Sequence, residues 1–431
     1  MKKIYSLLLF FLVSITPAIA QFGWTICNTP FFKSRVDDIY MVNSQVGYAV
    51  CGDGQIVKSI DGGNNWLTLL QDTSIYCRSV EFINEKKGFV GGFHRKSDVN
   101  FNTLRRTLDG GATWTDLTLL LDSAARKGIC GLAVADSNTI YGCGNYFQDS
   151  AYIVKSTDGG DTWSFIDMHN YATSLIDMYF LNKDTGFATG RGLLPMETAV
   201  ILYTTDGGQN WTYKFQNTIA SEYCWKIYRL TDKIYYGGIE DLTIIPSRIV
   251  KSTDGGMTWT VHMVDTICQY TEGIGFLDSL KGWVGGWGAA SFETNDGGIT
   301  WTQANVCPWL NRLHKVNDSL LFASGNNIWK YSYVTGTTPV IGEIVPYATL
   351  NCHPNPVNEI LTIDVALTQS THVMVLLFDS KGNRIKVLDN SDRYKGTFNY
   401  KLNTNDLPAG IYFVVLKTHE DKHISRIVVT H

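Results

Sequence analysis

The sequence predicts an all-β protein, a seven-bladed β-propeller followed by a small Ig-like β-sandwich. Three observations carry the prediction: a composition suited to strands and tight turns, a turn motif repeated at near-constant spacing, and a change of periodicity after the last repeat. The chain has 431 residues, 44% hydrophobic, 13% aromatic and 18% charged, with 40 glycines. Aromatic side chains pack well on pleated sheet, and glycine serves turns. The large apolar share and the formal charge of −4 exclude a disordered, collagen-like or strongly basic nucleic-acid-binding protein.

Residues 1–20 read as a signal peptide outside that fold. Lys2 and Lys3 precede an apolar run from Leu7 to Val13, and Ala18-Ile19-Ala20 supplies small residues where a signal peptidase cuts. Cleavage is expected before Gln21. Position 21 is not cysteine, so no lipid anchor is expected, and no later run approaches the roughly 18 apolar residues of a membrane helix. Losing Lys2 and Lys3 takes the charge from −4 to −6, which gives no electrostatic reason to bind nucleic acid or an anionic membrane. The cysteines are scattered without a C-x-x-C pair, which argues against zinc-ribbon and thioredoxin-like sites. Their odd number leaves at least one thiol unpaired, and they read mostly as small buried hydrophobes.

Residues 21–335 are expected to form the propeller. Six segments, from Ser59–Trp66 to Thr294–Trp301, read S/T-x-D-G-G-x-x-W. Their aspartates, Asp61, Asp109, Asp158, Asp206, Asp254 and Asp296, lie 48, 49, 48, 48 and 42 residues apart, and the tryptophans are Trp66, Trp114, Trp163, Trp211, Trp259 and Trp301. Short apolar runs flank each copy, which makes D-G-G a hairpin turn. In such a turn the carboxylate accepts backbone N–H bonds, glycine tolerates φ > 0, and the tryptophan covers the hairpin. These aspartates and tryptophans are therefore read as structural.

An aromatic residue close to a glycine counts the units independently, at Tyr48, Phe89, Tyr141, Phe187, Tyr235, Trp283 and Phe322. That makes seven units against six turns, and the repeat length fits one four-stranded blade. The seventh unit, Val316 to Tyr333, lacks a D-G-G turn and an outer strand. Trp24 lies 23 residues before Gly47, much as Trp66 lies 22 before Gly88. Phe22 to Asn28 thus has the register of an outer strand without a blade of its own, and pairing it with the last blade closes the ring.

The turn motif resembles the Asp-box, or bacterial neuraminidase repeat, and the whole-blade pattern is similar to seven-bladed propellers related to photosystem II assembly factors. The resemblance implies the fold over about residues 21 to 335 and a folding role for the Asp-box on the rim. It implies no particular activity.

Residues 336–347, rich in Thr, Gly and Pro, read as a linker. Beyond them, strand-like runs at Leu361–Val365, Val373–Phe378, Gly410–Leu416 and Ser425–Val429 alternate with turn signals and suggest a small sandwich. His353-Pro354-Asn355-Pro356-Val357, Asp379-Ser380-Lys381-Gly382, Leu407-Pro408-Ala409-Gly410-Ile411-Tyr412 and Arg426-Ile427-Val428-Val429 stand in the order of another family. By these motifs residues 348–431 resemble the C-terminal sorting domain of type IX secretion, with His353 where that family usually has tyrosine. The resemblance implies a Bacteroidetes-type bacterium, entry to the periplasm by the signal peptide, and passage across the outer membrane to the surface or medium. It also implies the type IX machinery as a partner of residues 348–431.

Repeated carboxylate turns raise the question of a glycosidase. The sialidase family carries an F-R-I-P motif, an arginine triad and a tyrosine–glutamate pair on six blades. Arg35-Val36-Asp37 is no such motif, and the unit count here is seven. Xyloglucanase-type hydrolases use two propellers, and this chain has one. G-x-S-x-G and P-loop motifs are absent from the sequence. His419 and His423 flank a strand-to-strand turn rather than sharing a helix face, which argues against a metal pair. No catalytic residue, metal or cofactor is assigned.

If strands A to D run outward in each blade, the D-G-G turns lie on one face and the B-to-C loops on the other. Those loops are longest in blades two to five. They carry His94, Arg95, Tyr146, Phe147, Arg191, Leu193, Leu194, Met196, Ile244 and Ile245, an apolar and aromatic mixture suited to recognition. From this set His94, Arg95, Tyr146, Phe147, Arg191, Met196 and Ile244 are the candidate binding residues. The function expected is an exported cell-surface or secreted propeller that binds a protein or glycan partner. The alternative is a divergent carbohydrate-active enzyme. An arginine cluster with paired carboxylates at the channel mouth would favour the enzyme, and a channel plugged by apolar side chains would favour binding.

Overall fold

The computed structural model describes residues 21–95, 103–144, 150–241, 247–265, 271–288, 290–304, 306–334, 348–368, 370–380, 384–418 and 422–430. Among them, the strands from Gln21 to Val334 form seven four-stranded antiparallel sheets. The A strands are Val36–Met41, Ile75–Phe82, Ile129–Val134, Ser174–Phe180, Glu222–Arg229, Gly273–Phe276 and Arg312–Asn317. Each packs against the next, and the last packs against the first, so the sheets close into a seven-bladed propeller around a central channel. The aromatic–glycine signature falls on the B strand of every blade, where Tyr48, Phe89, Tyr141, Phe187, Tyr235, Trp283 and Phe322 are buried between blades.

Blade seven starts at Arg312, earlier than the Val316 read from the sequence, and takes its outer strand from the N-terminus. Gln21–Ile26 lies antiparallel to Ile328–Val334, with Trp24 opposite Tyr331. Trp24 is buried, its ring edge-on to Trp283 at 5.1 Å and to Tyr331 at 5.3 Å. The segment then binds blade one: Asn28 N–H donates to Asn64 O (3.0 Å) and Asn28 O accepts from Trp66 N–H (2.9 Å). One short segment therefore fills an open sheet edge and ties the last blade to the first.

The D-G-G turns share one geometry. In blade three, Asp158 Oδ1 accepts from Thr162 N–H (2.9 Å), Asp161 N–H (3.0 Å) and the Ser156 hydroxyl (2.8 Å), while Gly160 N–H donates to Ser156 Oγ (2.7 Å). Trp163 Nε1 closes the turn on Gly160 O at 3.2 Å. Gly160 has φ +90°, and a Cβ there would sit 2.6 Å from the Phe89 ring of blade two. Both conformation and space therefore require glycine. The seat of each turn on the preceding blade alternates. In blades one, three and five a tyrosine–lysine pair grips the next turn: Tyr48 and Lys58 donate to Gly110 O, Tyr141 and Lys155 to Gly207 O, and Tyr236 and Lys251 to Gly297 O. Blades two, four and seven use the bare rings of Phe89, Phe187 and Phe322.

The eight described cysteines are buried thiols. No helix among the described residues is long and apolar enough to cross a membrane.

From Ala348 onward the chain forms a β-sandwich. One sheet orders Ala348–His353, Ile360–Leu367 and Gly396–Asn403; the other orders Arg384–Arg393, Thr371–Asp379, Gly410–Lys417 and Lys422–Val429. Leu361, Ile363 and Val365 of the first sheet share a core with Val375, Leu377, Val414 and Leu416 of the second. The tail motifs have local tasks. Asn355 Nδ2 donates to Arg426 O (2.8 Å) and its Oδ1 accepts from Val428 N–H (2.9 Å), which pins the Pro-Asn-Pro segment to the last strand. The Tyr412 hydroxyl donates to Pro408 O at 2.9 Å.

Two outcomes test this account. A chain lacking residues 21–29 leaves the Ile328–Val334 edge open. Its propeller is expected to melt as a whole at a lower temperature in calorimetry, and a wild-type melting curve would refute the closure. Asp109 is held down at about 2 by hydrogen bonds from the Thr113 side chain and backbone. Its unfolded value is about 3.9, so the stability it contributes is present above that pH and is lost on acidification. Asp109→Ala should therefore melt below wild type at neutral pH, and the gap should close between about pH 4 and pH 2.

Candidate functional site: the channel and its two faces

The channel lining follows from a local irregularity repeated around the ring. The A strands of blades one to five each carry a β-bulge at their loop-face end, and the extra residues are Asp37, Arg78, Cys130, Ile176 and Trp225. A bulge breaks the two-residue alternation and re-aims the side chains around it. Asp37-Asp38, Arg78-Ser79 and Trp225-Lys226 stand at these bulges in blades one, two and five.

On the loop-face side, Arg35 donates to Asp37 (2.9 Å from Nε, 2.7 Å from Nη2) and to Glu272, and Arg78 donates to the same Asp37 oxygen at 2.7 Å. Asn311 Nδ2 donates to Glu272 at 3.2 Å. The guanidinium of Arg35 stacks over Trp287 at 4.5 Å and that of Arg78 over Trp225 at 4.8 Å. Deeper in, Arg312 of blade seven spans the channel. It reaches Asp38 of blade one at 2.7 Å and Asp177 of blade four, across the ring, at 2.8 and 3.1 Å. Neighbouring blades complete both carboxylates: Val80 N–H donates to Asp38 (3.0 Å) and Ile227 N–H to Asp177 (3.1 Å). Burial pushes the Asp177 carboxyl up, but Arg312 and Lys226 outweigh it and hold it below the usual carboxylate range. Lys226, fully buried beside this pair, is pulled down to about 8 by burial and then by Arg312.

At the turn face the channel opens into a cavity of about 360 Å³ lined by six of the seven A strands. Its floor is Asp38 and Arg312; its walls include Tyr40, Glu81, Tyr179, Tyr228 and His314, with Arg229 and Lys315 at the rim. Burial, then the Asp38 charge, holds Glu81 well above the usual carboxylate range. Burial lowers His314 to about 4, so it is neutral, and its Nε2 accepts from Met41 N–H at 3.2 Å.

The channel is thus filled by charged groups, with Arg35, Arg78 and Arg312 in ion pairs and Lys226 Nζ making neither an ion pair nor a hydrogen bond among the described residues. The described residues form no apolar plug. The arginine cluster with carboxylates is there, but it is buried and mutually neutralised instead of standing open at the mouth.

The described sequence candidates lie at the loop face and do not converge. His94 and Arg191 end B strands rather than sitting in loops. Arg95 stacks over Tyr76 at 5.6 Å and bonds the carbonyls of Gly52 and Ile75, so it fastens blade two to blade one. Arg191 pairs with Glu197 at 3.1 Å and stacks over Tyr223 of blade five at 4.7 Å. Met196 stands exposed beside Leu193 and Leu194. Tyr146, Phe147, Ile244 and Ile245 lie outside the described residues, as does His419 of the His419/His423 pair. The channel residues Arg35, Asp37, Asp38, Arg78, Glu81, Asp177, Lys226, Glu272 and Arg312 were not singled out by the sequence. Their one visible signal is a lone charge inside an apolar strand, as in Leu175-Ile176-Asp177-Met178 and Trp225-Lys226-Ile227.

Residues 351–430 match the family described as the secretion system C-terminal sorting domain. The propeller resembles solved structures titled "YCF48 bound to D1 peptide" (TM-score 0.54, 16% identity, 73% of this chain and 99% of that one) and "YCF48 from Cyanidioschyzon merolae" (0.53, 18%, 72% and 98%). It also resembles the WD40 β-propeller domain of Doa1 (0.51, 12%, 74% and 98%). No curated protein sequence matches the chain. The propeller likenesses establish the fold, and the matched sorting domain marks a protein delivered to the cell surface or the medium by type IX secretion.

Removing Arg312 would leave Asp38 and Asp177 buried without their ion-pair partner, and breaking a buried pair from one side costs about 3–5 kcal/mol. Arg312→Ala is expected to lose stability on that scale in urea titration; a loss within error of zero would show that the pair does not hold the ring.

Proposed function

We propose that this chain is an exported, non-enzymatic binding protein whose propeller takes a protein partner on its loop face, after signal-peptide cleavage before Gln21 and type IX delivery. The observation that carries the reading is the blade-four loop. Leu193, Leu194 and Met196 are 37%, 63% and 47% exposed, beside the Arg191–Glu197 pair. Clustered apolar side chains rimmed by charge on a water-facing surface suit a macromolecular partner. Support also comes from the similar propeller whose title states that it is bound to a peptide.

A divergent glycoside hydrolase is the second reading, and Glu81 favours it, being an acid with a raised pKa facing a cavity. Glycosidases work with two carboxyl groups in separate roles. Asp38, the other acid lining the cavity, and Asp177 across the channel are held by Arg312 and by backbone N–H groups, which supports binding over catalysis.

Pull-down from the producing cell's surface extract, alongside a glycan array, tests the reading. Leu194→Asp and Met196→Asp should lose the captured protein at unchanged melting temperature. Undiminished capture would remove the loop face from the interaction, glycan capture would replace the protein partner, and turnover of a chromogenic glycoside panel would favour the hydrolase.

A further inference from the structure

We propose that the turn-face cavity at the end of the channel is a separate binding site for a neutral sugar residue. It lies on the opposite face from the Leu193–Met196 loop and does not depend on the reading given to that loop. A volume of about 360 Å³ is at the low end of small-molecule sites, which typically run from about 300 to 1,000 Å³.

The lining selects the ligand's chemistry. In the channel Arg35 and Arg78 pair with Asp37 and Glu272, and Arg312 with Asp38 and Asp177, whereas Glu81 makes no ion pair among the described residues. Burial, then the Asp38 charge, favours the uncharged form of Glu81, in which a carboxyl both donates and accepts a hydrogen bond. The Glu81 carboxyl and the Tyr40 hydroxyl both face the cavity and have no hydrogen bond among the described residues. An anionic ligand would meet Asp38 at the floor. A cationic one would meet Arg312 at the floor and Arg229 and Lys315 at the rim, whose own counter-charges are Asp232 and Asp318. What remains is a neutral ligand rich in hydroxyl groups with an apolar face. Tyr40, Tyr179 and Tyr228 supply rings for that face, and Glu81 and Tyr40 supply partners for the hydroxyls.

Isothermal titration of the whole chain with galactose, N-acetylglucosamine and lactose tests the site, with glucosamine and glucuronate as the charged comparisons. At least one neutral sugar should bind in the millimolar range or tighter, and more tightly than either charged sugar. Glu81→Gln, which keeps a donor and an acceptor without charge, should bind like wild type. Glu81→Ala and Tyr40→Phe should each weaken binding about tenfold, the equivalent of one hydrogen bond, with capture at the loop face unchanged. Tighter binding of glucosamine or glucuronate, loss of binding in Glu81→Gln, or no neutral sugar bound at millimolar concentration would each overturn the proposal.

Discussion

The propeller depends on one constraint: a ring of sheets has no free edge only if its last sheet is completed. Three strands of blade seven come from the end of the propeller sequence and the fourth, Gln21–Ile26, from its beginning. The pairing spans about three hundred residues of chain, among the most non-local contacts of the fold, and joins the start of the propeller to its end. Trp24 converts that pairing into buried area, because its ring enters a cluster with Trp283, Trp329 and Tyr331 that belongs to blades six and seven together. Asn28 then continues the tie into blade one.

Within the closed ring, two layers of contact hold neighbouring blades. At the rim, each D-G-G turn rests on an aromatic ring of the blade before it, with a lysine added in alternate blades, so the repeat unit of contact is two blades rather than one. At the axis, charge replaces aromatic packing. Asp38 and Asp177 each take a backbone N–H from the following blade, and Arg312 joins them across the channel. A buried guanidinium with two carboxylates is tolerated because its partners and their backbone donors meet the lone pairs that desolvation would otherwise leave unsatisfied. The network also separates the two faces chemically. The loop face presents arginines stacked on aromatic rings and an exposed apolar loop, while the turn face opens into a tyrosine-lined cavity with one uncommitted acid.

The rim was legible in the sequence because its chemistry is local. A D-G-G turn needs its aspartate, glycines and tryptophan within eight residues of one another, so the motif is written contiguously and its spacing counts the blades. The unpaired Trp24 register was legible for the same reason, as a copy of a pattern seen elsewhere in the chain. The sorting-domain motifs are local too: Asn355 fastens its turn to the last strand, and Tyr412 reaches back to Pro408. The blade-seven start was misplaced because Arg312 and His314 interrupt the apolar alternation that marks an inner strand.

The sequence by itself therefore determined the all-β class, the blade count, the closing strand and the tail, because each rests on residues near one another in the chain or on a period that repeats along it. Only the tertiary structure decided what fills the axis. Asp37, Arg78 and Lys226 stand at β-bulges, whose extra residue leaves no mark in composition or spacing. Arg35 with Glu272 and Arg312 with Asp177 pair residues that are far apart in sequence, and nothing along the chain links them. Ring closure brings them within a few ångströms in a space too dry for unpaired charge, and that proximity makes isolated polar residues in apolar strands into a network and a cavity.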